Sequence, residues 1–124
     1  MSELIGVVTA HGPLAEAMVR AVESITGLNG VLHAVSNTDC DRGKLEERIH
    51  QAIGGRPAVV FVDMPSGSCM FAALHRLKAE PDVRVVTGVN LAMLVDFVFH
   101  RGLTPEAAAA RAQATGTNAI KVPG

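Results

Sequence analysis

The sequence predicts an α/β fold in which an open, mostly parallel sheet has helices on both faces. Short apolar runs rich in β-branched residues alternate with helical patterns along the chain, as expected of repeated βαβ units. The run Ala58–Val62 is apolar at every position, which is typical of a parallel strand buried on both faces. Four such strands joined through helices predict the flavodoxin-like strand order 2-1-3-4.

Length and composition indicate one domain. The 124 residues are enough for one hydrophobic core and too few for two, so we expect a single domain over 1–124. The formal net charge is -1, with 11 basic and 12 acidic residues and no basic cluster, so we expect no nucleic-acid partner. No apolar run approaches the ~20 residues of a membrane span and the N-terminus resembles no export signal, which predicts a cytoplasmic protein.

The residue types that are scarce also limit the function. The chain lacks Trp and Tyr, so it offers few of the aromatic platforms on which bases and sugar rings stack. Cys40 and Cys69 follow no metal-binding or redox spacing; we predict no metal site and no cofactor, and interpret both as reduced thiols. Because 48% of the residues are hydrophobic and 19% are charged, we expect part of the surface to be covered by a second subunit.

Helix-starting and helix-ending residues place the elements between the strands. The first helix is predicted to begin at Pro13, and Thr38 or Asp39 is expected to cap the second. Gly116 is expected to end the last helix and to leave a short strand over 118–122. The predicted core positions of the first helix are Leu14, Met18, Ala21, Val22 and Ile25.

Two residues at the ends of predicted strands are the strongest candidates for a functional site. The first strand, predicted over 3–9, leads into His11, and the third ends at Asp63. In the order 2-1-3-4 the carboxyl ends of these two strands meet where the strand order reverses, which is where such sheets bind ligands. A histidine held by a carboxylate through one ring nitrogen can attack phosphorus through the other. We therefore predict that His11 is the catalytic residue and that Asp63 orients it.

Small residues near these two are predicted to hold a phosphoryl group. Ser66, Gly67 and Ser68 form a loop before a helix, and Gly12 lies in the turn before another. Backbone N–H groups at such helix starts bind phosphoryl oxygens. Each feature has a plainer interpretation when taken singly: the histidine as a structural residue of a turn, the aspartate as a helix cap, and the serines as ordinary turn chemistry.

Three segments together resemble a known family. They are 7–12 (Val-Val-Thr-Ala-His-Gly), 60–68 (Val-Phe-Val-Asp-Met-Pro-Ser-Gly-Ser) and 86–94 (Val-Thr-Gly-Val-Asn-Leu-Ala-Met-Leu). In order and spacing they resemble the mannose-type IIA component of the bacterial phosphoenolpyruvate-dependent sugar phosphotransferase system, over nearly the whole chain. The resemblance implies that the phosphocarrier protein HPr phosphorylates His11 and that a IIB domain or protein receives the phosphate. The membrane components IIC and IID would take part only indirectly.

The resemblance also carries structural implications. It implies that Asp63 holds the histidine ring, and that an antiparallel fifth strand over 118–122 is exchanged between the subunits of a homodimer. Family members commonly carry Gly-Gly-Ser-Pro where this chain has Ser66 through Cys69, and a proline in place of Ala92. These departures concern the partner surface and the sugar system, neither of which the sequence identifies.

Two other classes of protein remain open from the sequence. A response-regulator receiver also ends its third strand in a phosphorylatable aspartate, but it needs an acidic pair after the first strand to hold magnesium. This chain has Thr9, Ala10 and His11 at that place. A non-catalytic regulatory or scaffold domain would use His11 only structurally. Phosphoryl transfer from HPr, from acetyl phosphate or from neither distinguishes the three classes.

Overall fold

The computed structural model describes residues 3–78 and 80–124, which form one α/β layer structure. Strands and helices alternate up to the fourth strand, and two helices follow it. Within the described residues, no helix is both long and apolar enough to cross a membrane. The elements are β1 (Ile5–Ala10), α1 (Leu14–Thr26), β2 (Leu32–Ser36), α2 (Arg42–Ile53), β3 (Ala58–Val62), α3 (Ser68–Leu77), β4 (Val83–Thr87), α4 (Leu91–Val98) and α5 (Pro105–Asn118).

The sheet has the strand order β2-β1-β3-β4, and every pair is parallel. This confirms the predicted order. Strand β1 lies between β2 and β3, so that Thr9 is paired with Val35 on one side and with Val62 on the other. All residues of β1 and β3 are buried, as expected of central parallel strands that have helices on both faces.

Successive side chains along the strands belong alternately to two separate hydrophobic clusters, one on each face of the sheet. Val8 and Phe61 belong to the cluster that α1, α4 and α5 cover, whereas Val7 and Val60 belong to the cluster under α2 and α3. The predicted helices on both faces are therefore confirmed. Because both faces of the central strands are packed, their carboxyl ends are held at fixed positions.

Gly6 marks the tightest packing in the centre of the sheet. A Cβ atom at this position would lie 2.5 Å from Cδ2 of Leu32 and 3.0 Å from Cε2 of Phe97. The ring of Phe97 packs edge-on against Phe61, with centroids 5.1 Å apart. The absence of a side chain at Gly6 thus lets α4 pack closely on β1 and β3.

The buried face of α1 differs from the predicted one by one residue. Ala15, Val19 and Val22 are buried, whereas Leu14 and Ile25 are exposed. Most of the predicted series lies one position before the observed one, and both have helical spacing, so periodicity alone did not choose between them. Pro13 is the N-cap of α1 rather than its first residue, so the helix also begins one residue later than predicted.

The start of α2 also needs correction. The predicted cap was wrong, because Asp39 adopts a left-handed conformation with φ 54° and turns the chain. The helix instead begins after Asp41, whose Oδ1 accepts a hydrogen bond from the N–H of Lys44 at 2.8 Å. Side-chain capping thus occurs two residues later than Asp39.

The predicted end of α5 is wrong as well. The helix continues through Gly116 to Asn118, and Gly116 is buried within it. A Cβ at Gly116 would lie 2.5 Å from Cε of Met93, so this glycine serves close packing of α5 on α4 rather than helix termination. Within the single chain, 118–122 forms no strand, because Asn118 is helical and the residues after it pair with no other strand.

Candidate functional site

His11 lies immediately after β1, in the turn that leads to α1. Gly12 has φ +59°, which glycine adopts at little cost, and the N–H of Leu14 donates to the carbonyl of His11 at 3.3 Å. The N–H of Gly12 donates to Oδ1 of Asn37 at 3.1 Å, and its carbonyl accepts from Oγ of Ser36 at 2.7 Å. These bonds tie the turn to the end of β2 and fix where His11 leaves the sheet.

Asp63 lies immediately after β3 and contacts His11 through two groups. Its Oδ2 accepts the backbone N–H of His11 at 3.0 Å and lies 2.8 Å from ring Nδ1. The side chain of Asp63 is only 10% exposed, whereas that of His11 is 43% exposed. The structure therefore brings these two residues together, with the buried carboxylate at the Nδ1 edge of a partly exposed ring.

The protonation state of this pair follows from its hydrogen bonds. Burial alone would raise the pKa of Asp63, but the hydrogen bonds from the amide and ring of His11 hold it below its ordinary value. An ionised carboxylate only accepts, so Nδ1 of His11 carries the shared hydrogen. A neutral ring in this tautomer has its free lone pair on Nε2.

The Nε2 edge of His11 lies next to Gly67. A Cβ atom on Gly67 would lie 4.0 Å from both Nε2 and Cε1 of the ring. Gly67 has φ +97° and is the N-cap of α3, whose first residue is Ser68. No side chain caps this helix within the described residues, and Ser66, Gly67 and Ser68 are all exposed. The first backbone N–H groups of α3 are therefore available beside Nε2.

The N–H groups of the turn before α1 are less available than those at the start of α3. Pro13 has no N–H, the N–H of Leu14 donates to His11, and the N–H of Gly12 donates to Asn37. The Gly12 amide would reach a phosphoryl oxygen only after it released Asn37. The positive ends of both helix dipoles nevertheless lie near the ring and favour negative charge there.

Cys69 is a buried neighbour of His11. It is fully buried in the cluster under α2 and α3, and its Sγ is 4.0 Å from Nδ1 of His11. Burial, reinforced by the negative charge of Asp63, raises the pKa of the Cys69 thiol to about 11. The thiol is thus protonated at neutral pH and is a poor nucleophile, in line with the expectation of a reduced, unreactive cysteine.

The other four histidines make different contacts. His33 is half-buried on β2, and burial followed by the nearby charge of Arg56 lowers its pKa. The remaining three pair with acidic residues near the helices: His50 with Glu80, His75 with Glu46 and His100 with Asp96. Among the described histidines, His11 is the one that follows β1 at the strand-order reversal and pairs with the carboxylate after β3.

Ser36 and Asn37 hold the Gly12 turn, although neither was predicted from the sequence as a site residue. Both lie at the carboxyl end of β2, beside β1 in the sheet. The predicted strand order already placed the carboxyl end of β2 next to His11, which indicated that residues there could contact the turn. The position of β2 alone did not indicate which of its polar residues would point toward the turn.

The fold and the site together define a class of protein. It is a doubly wound parallel α/β domain with an exposed, carboxylate-held histidine where the strand order reverses. Comparison with known proteins identifies the family: the model described as PTS system fructose IIA component, of the EIIA-man type, matches residues 6–115. The chain belongs to this family, whose members are components of the sugar phosphotransferase system.

Solved structures share the fold over almost their whole length. The mannose/sorbose-specific IIA subunit of Enterococcus faecalis is 23% identical, with 99% of this chain and 96% of that one covered and a TM-score of 0.84. The component EIIA of Streptococcus agalactiae is 15% identical, with 96% of both chains covered and a TM-score of 0.88. A sigma-54 interaction domain protein of Enterococcus faecalis is 12% identical, with 95% and 93% covered and a TM-score of 0.80. No curated protein sequence matches the chain significantly.

Proposed function

We propose that this chain is a phosphoryl carrier that accepts phosphate from phospho-HPr on Nε2 of His11 and passes it to a IIB domain or protein. The observation that carries this proposal is the contact of Nδ1 with Asp63 at 2.8 Å, which leaves Nε2 as the free nitrogen on the exposed edge of the ring. The membrane components IIC and IID would act only downstream of the IIB partner. Membership of the IIA family supports partners within this system.

The proposed transfer needs little movement of the chain. The lone pair of Nε2 attacks phosphorus as the bond to the donor nitrogen of HPr breaks, and the hydrogen on Nδ1 stays between the ring and Asp63. The phosphorylated ring then carries positive charge, which the buried carboxylate stabilises. Because the backbone N–H of His11 also binds Oδ2, the carboxylate is already oriented before the reaction.

The phosphoryl oxygens are proposed to bind at the start of α3. Gly67 lies against the Nε2 edge, and the lack of a side chain there leaves room for a phosphoryl group. The hydroxyl groups of Ser66 and Ser68 and the first N–H groups of α3 are exposed beside this space. Gly12 contributes through the shape of its turn, since its own N–H is engaged by Asn37.

We also propose that the carrier is a homodimer joined through its C-terminal segment. Within the described residues β4 pairs only with β3, so one side of its backbone ladder is open. The C-terminal segment after α5 exposes two apolar side chains, Ile120 at 77% and Val122 at 97%. A groove of about 270 Å³ lies along β4 and α5. Its lining residues are Val85, Val86, Thr87, Ala109, Ala110 and Gln113. A strand over 118–122 of a second copy is proposed to pair with the open side of β4 beside this groove, and Asn118 would then leave α5.

A regulatory domain is the second candidate, because one structural relative is described as a sigma-54 interaction domain protein. Transfer from HPr separates the candidates. The chain is incubated with phosphoenolpyruvate, enzyme I and HPr, and the label is tested for stability to alkali, which preserves phosphohistidine and destroys aspartyl phosphate. His75→Ala, which removes another exposed histidine, is the matched control for His11→Ala.

The carrier is expected to gain about one alkali-stable phosphate in the parent and in His75→Ala and none in His11→Ala. Folding of His11→Ala is checked by circular dichroism. Labelling of Asp63 from acetyl phosphate would instead identify a receiver. The absence of any label in a folded parent chain would identify a domain that does not carry phosphate.

A further inference from the structure

A group of three metal-ligating side chains surrounds the inner nitrogen of His11. In the part of the chain that the structure describes, ligand atoms of His11, Asp63 and Cys69 all lie within 4.8 Å of one another. Nδ1 is 2.8 Å from Oδ2 of Asp63 and 4.0 Å from Sγ of Cys69. The proposed transfer reaction uses the first two residues and gives no role to the third.

Asp63 also has a carboxylate oxygen, Oδ1, that takes no part in the contact with His11. Its Oδ1 is buried and has no hydrogen-bond partner among the described residues, while Oδ2 accepts two hydrogen bonds from His11. The side chain as a whole is only 10% exposed. A buried carboxylate oxygen without a donor is costly, because it has lost water and gained nothing in return. A cation would satisfy it.

The three ligand types select the kind of cation. An imidazole nitrogen, a thiolate and a carboxylate together favour zinc and similar transition metals over magnesium and calcium, which prefer oxygen ligands. With Zn–N of about 2.0 Å and Zn–S of about 2.3 Å, ligand atoms of a tetrahedral site lie about 3.3 to 3.6 Å apart. The separations of 2.8 Å from Nδ1 to Oδ2 and 4.0 Å from Nδ1 to Sγ lie on either side of this range. All three ligand atoms lie within 4.8 Å of one another, so adjustments of up to about 1.2 Å form the site.

We propose that His11, Asp63 and Cys69 bind a zinc-type divalent cation, and that its binding prevents His11 from accepting phosphate. The second half of this proposal rests on the proposed carrier function. Three protein ligands leave the fourth position of a tetrahedral ion open to water, and the exposed ring of His11 provides the route of entry.

Inhibition follows from where the protons go. When the cation binds, the Cys69 thiol releases its proton to solvent, and the Nδ1 lone pair coordinates the ion. A neutral imidazole holds one proton, which must then lie on Nε2. Nε2 no longer has a free lone pair, so it cannot attack phosphorus. The two negative ligands, Asp63 and Cys69, balance the two positive charges of the ion.

Cobalt tests the site directly, because zinc is spectroscopically silent and cobalt(II) bound to a thiolate has a charge-transfer band in the near ultraviolet. The parent chain, without HPr, is titrated with cobalt alongside Cys69→Ser, Cys69→Ala and Cys40→Ser. Cys40 is the matched control: it is the other free cysteine, and its Sγ lies 3.2 Å from the carbonyl of Asn37. Circular dichroism establishes that each variant is folded.

The band is expected in the parent chain and in Cys40→Ser, with zinc displacing cobalt, and not in either Cys69 variant. Loss of a ligand should weaken zinc binding by at least about tenfold, since even residues that only support ligands contribute that much. No band in the parent, or a band that persists in the folded Cys69 variants, would overturn the site. Magnesium and calcium should not compete.

Inhibition is tested with purified phospho-HPr, so that zinc acts on no other enzyme. The ratio of transfer rates without and with zinc is measured within each variant. We expect this ratio to be at least about tenfold larger for the parent than for Cys69→Ala, in proportion to the lost affinity. Equal ratios would overturn the inhibitory role. If metal-free transfer fails in every variant, the carrier function fails, and the cobalt result still decides whether the site exists.

Discussion

The centre of the sheet and its β4 edge differ in how completely the single chain defines them. At the centre, β1 and β3 are buried at every residue and paired on both sides, and they hold His11 and Asp63 in contact. At the edge, β4 is paired on one side among the described residues, with Arg84 and Val85 half-buried and Thr87 exposed. The proposed phosphoryl site thus lies on strands that are paired on both sides, and the proposed dimer contact lies at the strand that is paired on one side.

The largest expected effect is at the edge. Removal of 119–124, which leaves α5 intact, should convert the proposed dimer into a monomer, because Ile120 and Val122 are lost. Analytical ultracentrifugation measures the change. Ile120→Asp should weaken the dimer similarly, whereas Ile25→Asp, at another exposed isoleucine in α1, should not. A truncated chain that sediments as a folded dimer would contradict the assignment of the interface.

The next largest effect is at the centre. Asp63→Asn should slow phosphoryl transfer from HPr by about 10- to 100-fold, because the amide can donate to Nδ1 and so favour the wrong tautomer. Asp82→Asn, at an exposed residue before β4, is the matched control and should transfer at the parent rate. Nitrogen-15 NMR of the ring reports the tautomer. Parent-like transfer by Asp63→Asn would remove Asp63 from the mechanism.

Packing at the centre gives a smaller and purely structural effect. Gly6→Ala should lower the free energy of unfolding by about 1 to 3 kcal/mol, because the new methyl group meets Leu32, Phe97 and Phe61. Gly102→Ala adds a methyl group with no atom within 4 Å and should change it by no more than about 0.5 kcal/mol. Urea denaturation compares the two. Equal stability would mean that the centre is packed less tightly than the structure indicates.

The smallest effect concerns the helices that flank the edge. Hydrogen bonds from Arg111 hold the pKa of Asp96 below its ordinary value and tie α4 to α5. A lowered pKa stabilises the fold above the ordinary value of about 4, and that contribution disappears as the pH falls through the folded value. Asp96→Asn should therefore melt a few degrees below the parent at pH 7. The two melting temperatures should converge as the pH falls below the lowered pKa of Asp96.

The sequence predicted the centre better than the edge, and the reason is physical. Continuous apolar runs mark buried parallel strands, and the strand order then places residues that follow β1 and β3 side by side, as His11 and Asp63 are. In a sequence, a glycine such as Gly116 is compatible with either a helix end or a close packing contact. The structure shows the packing contact, because Met93 lies directly beside Gly116. The strand expected over 118–122 stays a prediction, because its proposed partner is a second copy of the chain.

The proximity of Cys69 to His11 and Asp63 shows a similar limit. These residues come from a turn, a strand end and a helix, so no spacing along the chain indicates a metal site. Cys69 comes close to His11 and Asp63 only because its side of α3 faces the sheet. The small residues Cys69, Ala72 and Ala73 are buried there, whereas Leu74 is exposed. Hydrophobic size alone would favour the opposite assignment.

The position of the phosphate on the ring tests the account most directly. The chain labelled by phospho-HPr is examined by phosphorus and nitrogen-15 NMR, which identifies the nitrogen bonded to phosphorus. The contact of Nδ1 with Asp63 predicts a single phosphate on Nε2 of His11, with Nδ1 still protonated. Phosphate on Nδ1 of His11, on another histidine or on Asp63 would contradict it.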